Sequence, residues 1–211
     1  MANTLPTLFT ERIDKIFSGS LDVQKAFSAR SLKSFRINTL KSTKEEIWGQ
    51  LKLMAICFNR VEWYPQAFTV SRDDAPQILQ SSLVQDGKVY AQGLESMLSV
   101  LALDPQPQER ILDLCAAPGS KTSQIAAHMN NEGEIIANEP ITQRFFRLKA
   151  VLELTGAEAR LMRQDGRYLR HLELFDRILV DAPCSSEGRF IIEEPKSTAY
   201  WSLRKINEMA H

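Results

Sequence analysis

Residues able to do chemistry stand at four spaced points of the sequence: DLCAAPGSKT at 113–122, the pair Asn138–Glu139, RQDGRY at 163–168 and DAPCSSEG at 181–188. The first stretch ends like a phosphate-binding loop, which needs glycine directly before its lysine and another five positions earlier. Ser120 and Cys115 occupy those positions, and a single Gly119 cannot make the pattern G-x-G-x-x-G either. What remains is a turn of small residues, Ala116, Ala117, Pro118 and Gly119, where a ligand can approach the backbone and the amide dipoles of a helix start. Glu139 is placed to accept hydrogen bonds from a ribose diol. Asp165 can meet an adenine amino group, and Asp181 and Cys184 close the series. One acid after a strand usually caps or turns the chain. Acids after three successive strands, beside a small-residue turn, describe a nucleoside pocket without phosphate and point to S-adenosylmethionine.

The elements that must position these residues can be read from periodicity. From residue 104 onward, apolar runs alternate with helical patterns: strands over 109–115, 133–139, 158–165 and 175–183, and helices over 120–129 and 141–156. The second helix puts Ile141, Phe145, Leu148 and Leu152 on one side and stops at Gly156. Strands alternating with helices predict a parallel, doubly wound sheet that binds ligands at the carboxyl ends of its strands. The predicted fold class is therefore α/β, with about four parallel strands. Residues 1–103 are predicted to form a separate small α+β module. It holds helices over 9–19 and 22–30, a strand over 34–40 and a helix over 42–54 opened by Ser42…Glu45 and Thr43…Glu46 capping spacings. Strands are then expected over 61–64, 67–70 and 86–92, and a helix over 93–103 with Leu94, Met97, Leu98 and Leu101 on one face. The break falls in LDPQPQER, where two prolines interrupt the pattern.

Composition excludes several classes. A hydrophobic fraction of 44% and a charged fraction of 25% suit a globular chain, and no apolar run is long enough to cross a bilayer. Three widely spaced cysteines argue for a reducing compartment, the cytoplasm, rather than a disulfide framework. His128, His171 and His211 stand alone, so no metal site is expected. Cys57 is expected in the core, as are the Phe and Met residues of FFRL (145–148) and RLM (160–162). Net charge is +0, but Arg144, Arg147, Lys149, Arg160, Arg163, Arg167, Arg170 and Arg177 gather in one stretch able to meet a polyanion. Solvated helix and loop surface is an equal reading of that charge.

With these residues in view, DLCAAPGSKT, Asn138–Glu139, RQDGR and DAPCSSEG resemble, in order, the motifs of the RNA cytosine-5 methyltransferases of the Nop/Sun family. SFRINTLK and GKVYAQGLES resemble that family's region upstream of the catalytic domain. The resemblance implies a Rossmann-like methyltransferase domain over 104–211 that binds S-adenosylmethionine through Cys115, Ala116, Ala117, Pro118, Gly119, Ser120, Lys121, Glu139, Asp165 and Asp181, with Arg144 supporting Glu139. It implies ribosomal or transfer RNA as substrate. RNA binding by the upstream module through Lys33, Arg36 and Lys41 and a purely structural role for that module are equal readings.

Carbon 5 of cytosine is a poor nucleophile. A thiolate adding at carbon 6 makes the ring enamine-like, so that carbon 5 can take a methyl group; loss of the carbon-5 proton then releases the thiolate. The target base must be unstacked first. Asp181 suits the exocyclic amine or ring nitrogen. By resemblance Cys184 assists product release, and the attacking cysteine belongs to a later Thr-Cys motif. No cysteine comes after Cys184, and 197–211 reads as a helix still in progress, so the chain is expected to be truncated before that motif. The alternatives are use of Cys184 itself as nucleophile, a cofactor- or RNA-binding scaffold without catalysis, and methylation of another substrate on the same fold.

Overall fold

The structure, a computed structural model, describes residues 5–18, 22, 25, 27–28, 32–170, 172–199 and 201–209. Contacts gather the chain into two compact units, Met1–Ser31 with Pro183–His211, and Leu32–Ala182. In the smaller unit, helix α1 (Thr7–Phe17) buries Phe9, whose ring meets Phe27, Phe190 and Trp201 at centroid distances of 5.2, 4.9 and 5.8 Å. Such edge-on aromatic packing ties the two chain ends to each other. Ile192 N donates to Phe27 O at 2.8 Å, and Trp201 Nε1 to Glu187 Oε1 at 2.8 Å. The helix predicted over 22–30 falls largely outside the described residues. Of the one predicted over 197–211, the described residues are helical at Leu203–Met209, after a 3-10 turn at Pro195–Ser197.

The larger unit contains two four-stranded sheets. The first is antiparallel: β1 (Leu32–Ile37), β2 (Phe58–Arg60), β3 (Ala67–Ser71) and β4 (Val89–Ala91) lie in the order β2-β3-β1-β4. Helix α2 (Lys44–Leu53) covers it, starting at Thr43, whose hydroxyl accepts from Glu46 N at 3.2 Å as the capping spacing predicts. Ile47 and Leu51 of α2 pack with Phe35, Phe68 and Val70. The strand predicted over 61–64 is instead a turn, because Tyr64 N bonds back to Val61 O and the pairing strand lies at Phe58–Arg60. Two short helices, α3 (Ala75–Leu79) and α4 (Ser82–Gln85), have too few residues to show a period and were not predicted.

The second sheet is parallel. Its elements are β5 (Arg110–Asp113), α6 (Ser120–His128), β6 (Glu134–Asn138), α7 (Thr142–Thr155), β7 (Arg160–Met162) and β8 (Arg177–Leu179), preceded by α5 (Leu94–Leu103). The strand order is β7-β6-β5-β8, with Leu112 of β5 paired to Ile136 on one side and Ile178 on the other. The chain leaves β5 toward β6 and returns to the opposite flank at β8. A crevice therefore opens beyond the carboxyl ends of β5 and β8, where ligands bind in such sheets. Ile111 and Leu112 are both fully buried, as a central strand covered on two faces requires.

The expected boundary at 103/104 lies within the larger unit, and α5 explains why the sheets are not separate there. Its Val100 belongs to the core of the parallel sheet, while Met97 packs with Val61, Tyr64 and Ala67. Leu98, predicted on the buried face, is 50% exposed, because Val100 takes its place. Ile141 is 53% exposed since it caps α7 rather than lying within it; Leu148 and Leu152 are buried as predicted. Among the described residues no helix is long and apolar enough to cross a membrane, and no group of three or more His, Cys, Asp or Glu could hold a metal ion.

Candidate active site

The rim is built by the residues directly after each parallel strand. β5 ends on Asp113, 1% exposed, and the chain then turns through a cis Ala117–Pro118 bond to Gly119 at φ 108. A Cβ on Gly119 would lie 3.1 Å from Leu148 Cδ1 and Val151 Cγ1 of α7, so the turn needs glycine for both its backbone and its contact. Ala116 N donates to Asn138 O at 2.9 Å, which carries the β5–β6 ladder past the end of the strand.

Three consecutive side chains of the first turn of α6 reach three different strands. Lys121 Nζ pairs with Asp181 Oδ2 at 2.6 Å, just beyond β8. Thr122 Oγ1 donates to Asp113 Oδ2 at 2.7 Å. Ser123 Oγ accepts from Arg36 Nη2 of β1 at 2.8 Å. Asp113 Oδ1 is buried with no hydrogen-bond partner, although the Cys115 amide lies near enough to favour the charge. Burial pushes the Asp113 carboxyl up to about 6, helped by the Asp181 charge and opposed by the Thr122 hydroxyl and the Lys121 ammonium.

Beyond β6, Glu139 is 1% exposed. Its Oε1 accepts from Ile141 N at 2.9 Å, and its Oε2 lies 3.3 Å from Arg144 Nη1. Arg144 Nη2 also donates to Ala117 O at 2.9 Å, so one guanidinium links the acid to the small-residue turn. Asn138 fastens the neighbouring loops: its Nδ2 donates to Leu114 O and Gln164 O, and its Oδ1 accepts from Gln164 N.

The structure thus brings Cys115–Lys121, Glu139, Arg144 and Asp181 to one crevice through direct contacts. Asp165 lies after β7 on the same rim, but its carboxylate takes three bonds from the Arg167 side chain and one from the Arg167 amide, which hold it well below the usual carboxylate range. Cys115 is half-buried, and burial, then the Asp113 and Glu139 charges, push its thiol up, away from the thiolate; Arg144 opposes this. Cys184 is exposed and lies in the smaller unit.

Several expectations need correction. Cys57 is exposed, not core, because the chain has left the core after Ile56 and reached β2. Arg36 is fully buried and cannot meet RNA, whereas Lys33 and Lys41 are exposed. Phe146 is 61% exposed rather than core, and the Arg163 guanidinium stands 5.5 Å from the ring centre of its neighbour Phe145. Asp113, Thr122 and Asn138 stand inside the quoted motifs, but the sequence reading assigns them no role. The available signal was a polar residue closing an apolar strand, as Asp113 and Asn138 both do.

Known proteins resemble the chain in both sequence and fold. Residues 100–204 match the family described as 16S rRNA methyltransferase RsmB/F. Ribosomal RNA small subunit methyltransferase F of Erwinia tasmaniensis is 35% identical over 216 residues, covering 97% of this chain and 45% of the relative. The chain therefore spans about half the length of the curated relatives it matches. The crystal structure of PH0851 superposes with a TM-score of 0.86 at 31% identity, covering 99% of this chain and 48% of that one. NSun6 from Pyrococcus horikoshii, solved with SFG, superposes with a TM-score of 0.84 at 20% identity over 100% of this chain and 78% of that one; it shows the shared fold.

Proposed function

Since the chain belongs to the RsmB/F group of Nop/Sun methyltransferases, we propose that it is the cofactor-binding part of an S-adenosylmethionine-dependent enzyme that methylates carbon 5 of cytosine in ribosomal RNA. The observation that carries the reading is the convergence of the Cys115–Lys121 turn, Glu139 and Asp181 at the crevice beyond β5 and β8. The donor set fits the cofactor. A buried acid at Glu139 suits the ribose hydroxyls, the orphaned Asp113 Oδ1 suits an ammonium, and Lys121 with the first amides of α6 suits a carboxylate. Bound there, S-adenosylmethionine supplies an electrophilic methyl group.

The chain's own residues then divide the remaining work. Arg144 pairs with Glu139 and fixes the turn through Ala117 O. Asp181, 55% exposed, contacts the exocyclic amine of the target base, and its pair with Lys121 aims it. Asp165 borders the adenine. Cys184, exposed, serves product release rather than attack. RNA approaches over the basic stretch, where exposed Phe146, Arg147, Arg163 and Tyr168 offer rings and cations to bases and phosphates. The antiparallel-sheet region adds the exposed Lys33 and Lys41 to the RNA contacts. The three unpaired cysteines fit a cytoplasmic protein.

The test is methyl transfer. The gene's whole product is incubated with methyl-labelled S-adenosylmethionine and small-subunit ribosomal RNA, and the modified nucleoside is identified. Label at carbon 5 of cytosine is expected. Label on another base, or none on RNA, overturns the substrate assignment.

A further inference from the structure

Among the described residues, the buried cation Arg36 has no carboxylate partner. It is 0% exposed, its Nε donates to Gln92 Oε1 at 2.9 Å, its Nη2 donates to Ser123 Oγ at 2.8 Å, and its Nη1 has no partner. Burying a guanidinium without a counter-charge is costly, so its few bonds must hold firmly placed partners. Those partners lie on α6 or lead to it. Ser123 Oγ, which accepts from Arg36, also donates to Ser120 O at 3.0 Å, inside the first turn. Gln92 continues the chain by donating to Gln124 Oε1 at 2.7 Å, and Gln124 Nε2 reaches Met97 O at 3.2 Å. Near the other end of α6, Tyr64 Oη lies 3.2 Å from His128 Nε2. The antiparallel sheet thus grips α6 along its length, and its contact nearest the Gly119–Ser120 turn is Arg36.

We propose that Arg36 is a positioning residue for the cofactor turn, acting through Ser123 and Ser120 to fix the helix start that faces the ligand. The assignment rests on the cofactor reading above. With Lys121 tied to Asp181 and Thr122 tied to Asp113, the Arg36–Ser123 bond completes a three-point mount for one helical turn. Loss of any point frees the amides to move by the fraction of an ångström that matters to a bound ligand.

The experiment is calorimetric titration of the 211-residue chain and its variants with S-adenosylmethionine, well below each unfolding midpoint. Arg36→Met and Ser123→Ala are each expected to bind about tenfold more weakly, the effect of one lost hydrogen bond. Their double variant is expected to be no weaker than Arg36→Met alone. Ser123→Thr, which keeps the hydroxyl, should retain the parent's affinity. A purely structural role would lower the unfolding midpoint and leave the dissociation constant unmoved; parental affinity in folded Arg36→Met, or fully additive losses, overturns the proposal. If Arg36→Met does not fold, Ser123→Ala decides, and parental affinity there overturns it. A folded parent that binds no S-adenosylmethionine overturns the cofactor reading, and this assignment with it; a binding parent with unaffected variants overturns this assignment alone.

Discussion

The strand-end rim and the seam between the two sheets of the larger unit are both polar, and they treat their polar groups in opposite ways. At the rim, Lys121–Asp181 and Asp165–Arg167 leave one or both partners exposed, and such pairs can exchange partners with a ligand at small cost. At the seam, Arg36, Asn38, Gln92, Ser123 and Gln124 are buried and bonded to one another or to fixed carbonyls. Groups of that kind specify one packing and cannot be released without leaving an unpaired donor or acceptor. Asp113 stands between the two regimes: buried like the seam, with one oxygen unpartnered and available to the rim.

The sharpest break of this comparison lies in the seam. Asn38 Nδ2 donates to Gly87 O at 2.8 Å and to Thr155 O at 2.7 Å, joining the end of β1 to the last turn of α7. Asn38→Ala orphans both carbonyls and should lower the free energy of unfolding by about 2–4 kcal/mol, measured by urea titration. A loss no larger than that of an ordinary surface substitution would show that the seam is not the rigid region.

Asp113→Asn tests the intermediate case. Because the folded carboxyl is raised to about 6 from 3.8, the folded state holds the proton more tightly than the unfolded chain. The contribution of Asp113 to stability is therefore greatest below 3.8, falls as pH rises between those values, and is flat above them with a cost of about 3 kcal/mol. The asparagine variant should lose that slope and be the more stable protein at pH 8, while binding S-adenosylmethionine less well. A parental slope in the variant would assign the titration to another group.

At the rim the effects move from stability to binding. Glu139→Gln should weaken S-adenosylmethionine by roughly tenfold or more, the scale of a charged hydrogen bond, in a chain that still unfolds cooperatively. Arg167→Ala is expected to be the mildest: its exposed pair with Asp165 contributes little, so the unfolding midpoint should stay where it is. A clear drop in midpoint would place that pair with the seam rather than the rim.

The same division governs how much the sequence reveals. The rim is legible because its acids come after apolar strands and its turn is made of small residues, patterns local in sequence. The parallel sheet is legible for the same reason, and its order β7-β6-β5-β8 adds the crevice that periodicity alone cannot give. The seam is not legible, because its partners are far apart in the chain: Arg36 with Ser123, Asn38 with Thr155, Gln92 with Gln124. Judged by its neighbours in sequence, Arg36 resembles a surface cation beside Lys33 and Lys41. Only the fold shows that β1 turns it inward. Cys57 and Phe146 fail in the other direction, apolar by type yet exposed, since one turn of backbone decides which face of a short element meets solvent.

The most direct test of the account is calorimetric titration of the folded 211-residue chain with S-adenosylmethionine, alongside Glu139→Gln. The crevice beyond β5 and β8 predicts saturable binding at one site, weakened in the variant. A folded chain that shows no saturable binding, or a variant that binds as tightly as its parent, would contradict the placement of the cofactor there.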